Sequence, residues 1–245
     1  MAQRTLVWIS GASSGIGAAL AESIPHDDVL VFGIARRPPA VGEHIDADLS
    51  RPAVWPQVAA HFEQTLARDG GGAAVFLHMS GTGTPAGPAA DADLEAYTDA
   101  VLLNSASGQV LGKAFLTACA RTGTDATLVL CSSPAAAKHV PGVSHYGSGK
   151  SALQFWAAAV ATEVEGWARV FSVVPFAVDT PMVRQTIALP PGTTPVADML
   201  RDKAERGELA TAEATAAQIW DLVLDGTTTG SAVPVGAVPA GMRSA

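Results

Sequence analysis

Basic residues are scarce in this chain, and so are cysteines, aromatic rings and long apolar runs. Fifteen lysines and arginines stand against 23 acids, a formal net charge of −8. No broad basic face can neutralise phosphates, which argues against nucleic acid or an anionic membrane as partner. The two cysteines, Cys119 and Cys131, cannot build a disulfide framework and read as small core residues of a reducing compartment. The six histidines, His26, His44, His61, His78, His139 and His145, include no pair at metal-ligand spacing among acids or cysteines, so no metal is expected. No apolar stretch reaches the length needed to cross a bilayer. Met1-Ala2-Gln3-Arg4 runs straight into a strand with no signal-peptide apolar region ahead of it. The expectation is a cytoplasmic protein without a membrane partner.

What the chain does have is a repeating rhythm. Short runs rich in Val, Ile and Leu recur at 5–10, 29–35, 73–79, 126–132, 169–174 and 232–235. They are continuous rather than alternating, as parallel strands covered on both faces require. A shorter strand is expected near His44–Asp46, and helical segments at about 15–24, 56–68, 94–121 and 145–166. That alternation predicts an α/β chain of one Rossmann domain over 1–245, a doubly wound parallel sheet of about seven strands with helices on both faces. Residues 175–207 break the rhythm, with Pro181, Pro190, Pro191 and Pro195 interrupting short helical pieces. This stretch follows a strand's carboxyl end, where such sheets bind ligands, so a substrate lid at 176–209 is expected; a packed irregular excursion is the alternative. The tail at 240–245 is expected to be disordered.

The first strand ends in Ser10-Gly11-Ala12-Ser13-Ser14-Gly15-Ile16-Gly17 and leads into a helix. Glycines allow a tight turn and close approach of a diphosphate to backbone N–H groups, and the helix N-terminus offers unpaired donors. A glycine turn alone is a weak signal, but the flanking strand and helix supply the context of a dinucleotide site. The second strand ends Ala35-Arg36-Arg37. It lacks the acid that would bind ribose hydroxyls, and two guanidinium groups suit a 2′-phosphate, so the expected cofactor is NADP(H). Two solvated surface arginines are the alternative. Asp48, after the third strand, could accept from the adenine amino group.

A second constellation lies further on. Tyr146 and Lys150 stand at i and i+4, on one face of a helix, and Ser133 lies thirteen residues before the tyrosine. Tyrosine normally loses its proton near pH 10. The lysine ammonium, together with oxidised nicotinamide, should favour the phenolate and lower that value. Ser133, Tyr146 and Lys150 then suit a carbonyl or alcohol oxidoreductase: the serine polarises the oxygen and the tyrosine exchanges its proton. Each signal alone has an ordinary explanation, such as a cap, a surface pair or a turn.

Taken in order and spacing, these residues resemble the short-chain dehydrogenase/reductase family over nearly the whole chain. The resemblance implies that Asn104 joins Ser133, Tyr146 and Lys150 in a catalytic tetrad and positions a proton-relaying water, and that Lys150 also holds the nicotinamide ribose. It further implies a cofactor cradle of Gly11, Ser13, Ser14, Gly15, Ile16, Gly17 and Gly81, and a nicotinamide segment of Pro175, Val178 and Thr180. Arg36-Arg37 and the stretch from Pro175 to about Leu209 are similar to the sepiapterin reductase and benzil reductase branch. Two departures stand out. His78-Met79-Ser80-Gly81 replaces the family's Asn-Asn-Ala-Gly, and Phe176 replaces a glycine. His78 is read either as a satisfied structural residue or as an acid.

The expected reaction is reduction of a small neutral ketone or dicarbonyl. An oxidative alcohol dehydrogenase and a non-catalytic NADP(H)-binding regulator are the alternatives. Pro134–Ala137, Val140, Pro141, Phe176, Met182, Val183, Ile187 and Leu189 should give an apolar pocket, with Lys138 and Arg184 as the nearby cations. The segment 152–161 is apolar beyond the face that carries Tyr146 and Lys150. A homodimer or homotetramer through this helix and the one carrying Asn104 is therefore expected.

Overall fold

The protein's structure is a computed structural model that describes residues 4–70 and 72–237. Seven strands form one sheet: β1 (Thr5–Ser10), β2 (Val29–Ala35), β3 (Glu43–Asp46), β4 (Ala73–His78), β5 (Asp125–Cys131), β6 (Ala168–Phe176) and β7 (Ala232–Gly236). Their spatial order is β3-β2-β1-β4-β5-β6-β7 and every neighbouring pair is parallel. The order reverses between β1 and β4, which opens a crevice outside their carboxyl ends, where open α/β sheets bind ligands.

All six residues of β1 are buried, because helices cover both faces and each strand residue meets a core. Side chains alternate between those cores. Leu6 and Trp8 enter one cluster, beneath α2 (Trp55–Asp69), α4 (Ser107–Thr122) and α5 (Ser144–Glu163), while Val7 and Ile9 enter the other, beneath α1 (Gly15–Glu22) and α8 (Ala212–Leu224). On the first face Trp8 stacks on Phe32 at 5.1 Å and meets the edge of Phe62 at 5.3 Å. On the second, the Trp220 indole N–H donates to Leu20 O at 3.1 Å and ties α8 to α1.

The strand expectations hold to within a few residues, but the helices bring corrections. The expected helix at 94–121 is not uniform: α3 (Leu94–Val101) and α4 are joined by a π-helical turn, Leu102–Ala106. Helix α5 stops at Glu163 rather than running to 166. Helix α8 went unread, although Thr211 caps it by accepting from Ala214 N at 3.0 Å and Ala212, Ala216, Ile219 and Val223 repeat at helical spacing along one face.

Of the four prolines expected to interrupt the 175–207 stretch, Pro190 and Pro191 lie between two helices, while the other two start them. Pro181 opens α6 (Pro181–Ile187) and Pro195 opens α7 (Pro195–Glu205), positions where the missing N–H costs nothing. Thr180 and Thr194 cap them, accepting from Val183 N and Ala197 N. The excursion closes on itself, with Asp179 N donating to Ala210 O at 2.8 Å and Ala210 N to Ala177 O at 2.9 Å. The tail at 240–245 lies outside the described residues. Among the described residues no helix is long and apolar enough to cross a membrane, and no cluster of three or more His, Cys, Asp or Glu could hold a metal.

Candidate active site

The glycine turn after β1 is shaped by contacts that exclude a side chain. A Cβ on Gly17 would lie 2.4 Å from Gly11 O, and Gly11 and Gly15 have φ of +72° and +56°. Ser14 stands at the N-cap of α1 with no side-chain cap bond, and the first turn of the helix carries no acid. The helix N-terminus therefore keeps donors for an anion, as a diphosphate requires. Gly15 also meets the segment after β6: its Cβ would lie 3.2 Å from Thr180 Cγ2. Thr180 of the expected nicotinamide segment (Pro175, Val178, Thr180) thus lies beside Gly15 of the expected phosphate cradle (Gly11, Ser13, Ser14, Gly15, Ile16, Gly17), and the uncapped helix N-terminus fits the diphosphate of a dinucleotide.

At the end of β2, Arg36 and Arg37 are exposed, and neither has an ion-pair or hydrogen-bond partner among the described residues. Asp48 is half-buried, and its Oδ1 accepts from Ser50 N at 3.1 Å and Ser50 Oγ at 2.8 Å. Its orientation is fixed by its own turn, which leaves the second carboxylate oxygen available.

Across the crevice, α5 carries Lys150 into the interior, where it is 2% exposed. Its Nζ donates to Cys131 O at 2.8 Å. Burial holds this ammonium below its ordinary pKa. A Cβ on Gly81 would lie 3.1 Å from both Lys150 Nζ and Asn104 Oδ1, so these three positions converge. Fully buried Asn104 sits in the π-helical turn. Its Oδ1 accepts from Thr82 N and its Nδ2 donates to Thr82 O, each at 2.9 Å. The carboxamide thus holds both polar backbone groups of Thr82 in the loop after β4. Gly149 permits the close approach of α5, since a Cβ there would lie 2.9 Å from Asn104 Cβ.

Tyr146 lies one helical turn before Lys150, whose Nζ is 5.7 Å from the centre of the phenol ring. Burial pushes the phenol up to about 12, with the Cys131 thiol adding to the rise and a hydrogen bond from Ser133 opposing it. The lowering expected from the Tyr146/Lys150 pair is therefore overridden by desolvation in the chain alone. Ser133 Oγ already accepts from Ala135 N at 3.2 Å, so its O–H is free to donate toward the phenol oxygen.

His78 shows how the altered segment after β4 folds. It is fully buried, with Nδ1 3.1 Å from Ser10 Oγ and Nε2 3.3 Å from Ser107 Oγ. Burial, with Lys150 nearby, pushes its pKa down to about 3, so it is neutral and no acid. These bonds supply the cross-strand tie that an asparagine would have given. Gly81 forms the expected turn, with Ser80 N donating to Ser10 Oγ at 3.1 Å. Sequence reasoning missed Ser10 and Ser107 as partners of His78, because pairing across 68 and 29 residues is a property of how β1, β4 and α4 pack together.

Arg184 is committed rather than free: its guanidinium makes two bonds to Asp179, at 2.8 and 2.9 Å. Lys138 is exposed. The loop after β4 and the excursion touch, as a Cβ on Gly83 would lie 3.7 Å from Thr186 Oγ1. Gly142, with φ +82°, packs against buried Thr194: a Cβ there would lie 2.5 Å from Thr194 Cγ2.

A pH dependence follows from His78. Its folded-state pKa lies below the unfolded value near 6.5, so the stability it confers is complete above pH 6.5. As pH falls toward about 3, the unfolded chain takes up a proton that the folded chain refuses. Urea unfolding should therefore show the native protein losing up to about 1.4 kcal/mol per pH unit relative to His78→Asn between pH 6 and 4. Parallel pH curves for the two proteins would contradict this.

The sequence model described as short chain dehydrogenase matches residues 5–189. A search of the curated proteins returned no match. Among solved structures, ligand-free aldohexose dehydrogenase of Thermoplasma acidophilum superposes with a TM-score of 0.81 at 20% identity, over 99% of this chain and 98% of that one. Levodione reductase gives 0.79 at 19% identity, over 97% and 98%. A 4-hydroxyisoleucine dehydrogenase complexed with NADH gives 0.76 at 16%, over 98% and 100%. At these identities the structures speak for the fold. The family match spans well over half of the chain, and with the glycine cradle and the Tyr146/Lys150 helix it makes this protein a member of the short-chain dehydrogenase/reductase family of nicotinamide-dependent oxidoreductases.

Proposed function

We propose that the protein reduces a small neutral ketone or vicinal dicarbonyl with NADPH. The observation that carries this reading is the convergence of buried Lys150, Asn104 and Gly81 beside Tyr146 and Ser133, facing the glycine cradle across the β1/β4 crevice. The cradle and the segment after β6 would hold NADPH, which would supply the hydride for the carbonyl carbon. Tyr146 gives its phenolic proton to the carbonyl oxygen, so that C=O becomes CH–OH and a phenolate remains. Ser133, whose Oγ accepts from Ala135 N, turns its one hydroxyl proton to the same oxygen and polarises it. Lys150 supplies the positive charge that makes the phenolate tolerable in a buried site, where its opposite charge acts more strongly than in water. Asn104 fixes the loop at Gly81–Thr82 beside the lysine. His78, the feature that favoured a non-catalytic binder, has both ring nitrogens bonded and leaves that alternative without support.

The phosphate preference rests on Ala35-Arg36-Arg37. No acid stands at the end of β2, and the two exposed guanidinium groups have no partner among the described residues, so both are available to a 2′-phosphate. The neighbour holding NADH is distant enough in sequence for this end of the site to differ. The substrate class rests on the pocket's inventory. Pro134, Phe176, Met182 and Val183 follow the catalytic strands and are apolar, Arg184 is engaged by Asp179, and Lys138 is exposed to solvent. A levodione reductase among the structural neighbours and the similarity to the benzil reductase branch agree with this class. The excursion 176–209 would serve as the lid.

Association is part of the proposal. Phe155 on α5 is 81% exposed, and Val101 and Val110, on the helices flanking the π-helical turn, are 40% and 44% exposed. We propose that a second copy covers this face, through α4 and α5, in a homodimer or homotetramer.

Four outcomes are expected. Tyr146→Phe should lower turnover by at least about 10²-fold, the scale of general acid catalysis, with NADPH affinity nearly intact; wild-type turnover would refute the proton donor. In fluorescence titrations NADPH should bind at least about tenfold tighter than NADH, as one charge-assisted phosphate contact implies, and Arg36→Ala with Arg37→Ala should erase the difference. Equal affinities in the native protein would overturn the NADPH assignment. A kinetic panel should give higher kcat/KM for neutral aromatic ketones or diketones than for any carboxylated or phosphorylated carbonyl; the reverse ranking would show that the pocket is misread. Light scattering at micromolar concentration should return at least twice the 24.9 kDa chain mass, and a monomer would remove the association.

A further inference from the structure

The bonds around His78 fix its proton and give it a direction. Ser107 has one hydroxyl proton and donates it to Leu103 O at 2.8 Å. It can only accept from the ring, so His78 Nε2 carries the hydrogen. Nδ1 is then a lone pair and must accept, and the Ser10 hydroxyl is its donor. Ser10 Oγ in turn accepts from Ser80 N. One continuous chain of bonds results, from the Ser80 amide through Ser10 and the imidazole to Ser107 and the Leu103 carbonyl. Its first end is the turn that packs on Gly11, whose Cβ would lie 3.3 Å from Ser80 N. Its second end is inside the π-helical turn, one residue before Asn104. The ring has a prepared seat: a Cβ on Gly108 would lie 3.0 Å from His78 Cδ2.

We propose that His78 is a positioning residue whose neutral imidazole sets the spacing between the cofactor turn at Gly11–Ser80 and the π-helical turn that carries Asn104. The proposal deepens the reductase reading and rests on it for the catalytic consequence. Ser80 is held where Gly11 can form the diphosphate turn. Leu103 is held so that Asn104 keeps Thr82, and Gly81 stays against Lys150 Nζ. Lys150, from α5, is the charged group that acts on the ring; β1 and α4 present Ser10 and Ser107 to it. Cofactor affinity and turnover therefore depend on opposite arms of the same side chain.

The arms can be cut separately, because an asparagine amide overlays Nδ1 of a histidine and a glutamine amide overlays Nε2. His78→Asn keeps the bond with Ser10 and loses Ser107; kcat should fall roughly tenfold, the scale of one buried hydrogen bond, with the NADPH dissociation constant within about twofold. Ser107→Ala should do the same. His78→Gln keeps Ser107 and loses Ser10, and should weaken NADPH binding by roughly fivefold while kcat at saturating cofactor changes little. His78→Leu should show both losses. Amide hydrogen exchange at Thr82, which donates to Asn104, should quicken about tenfold in Ser107→Ala and stay native in His78→Gln. Lower thermal stability in every variant, without this division of kcat, affinity and exchange, would reduce His78 to packing and overturn the proposal. Should the native protein reduce no carbonyl in the panel, the reductase reading fails by itself. Thr82 exchange and NADPH titration then still decide the role of His78: unchanged values in Ser107→Ala and His78→Gln overturn it.

Discussion

A lysine buried to 2% exposure is the constraint around which the site is arranged. Taking an ammonium out of water is costly unless it finds partners, and α5 delivers Lys150 to the one kind of partner a parallel sheet offers at its carboxyl edge, the free carbonyl of a strand end. Cys131 O fills that role at 2.8 Å. Close approach does the rest. Gly149 lets α5 settle against Asn104, and Gly81 leaves space that a methyl group would fill at 3.1 Å from the charge. The field of this charge is felt by its neighbours: it helps depress His78 and opposes the burial that raises the Cys131 thiol. Tyr146 is the exception: burial raises its pKa, and the Cys131 and Ser133 side chains modulate it rather than the lysine.

The π-helical turn at Leu102–Ala106 is a second consequence of that arrangement. One extra residue in a helical turn interrupts the regular ladder and re-aims the side chains that follow, which is why such turns recur at functional sites. Here it turns the Asn104 carboxamide onto both polar groups of Thr82. The loop after β4 is thereby tied to a helix instead of to substrate or solvent.

Much of this was legible in the sequence, for definite reasons. Continuous apolar runs marked six of the strands because each is covered on both faces, and Tyr146 and Lys150 could be placed on one face because an α-helix fixes i and i+4. The glycine turn was legible because positive φ and a 2.4 Å approach leave no choice of residue. What was hidden depends on pairing across the chain or on small slips of backbone. The π-helical turn leaves the apolar periodicity of 94–121 almost unchanged. The partners of His78 come from β1 and α4, far away in sequence. Helix α8 has a cap and an apolar face, but it follows α6 and α7 in the span between β6 and β7, where three helices replace the one that strand–helix alternation calls for.

The excursion after β6 shows how charge is used within a site in an acidic protein. Arg184 is bound to Asp179, and Arg201 bridges the two helices, donating to Ile187 O and Leu189 O while pairing with Asp198. Exposed pairs of this kind add little to stability. Their effect is on shape and on chemistry. Arg201 ties the C-terminal end of α6 to α7, so the two helices form one piece. That piece is anchored at Ala177, an alanine in the left-handed region with φ +44°, a conformation that persists only where the surroundings impose it. The backbone bonds to Ala210 impose it here. Opposite the anchor, Thr194 seats on Gly142, a glycine whose missing side chain is the space the contact occupies. Arg184 and Arg201 are therefore engaged within the excursion itself, one by a carboxylate and the other by a carboxylate and two backbone carbonyls.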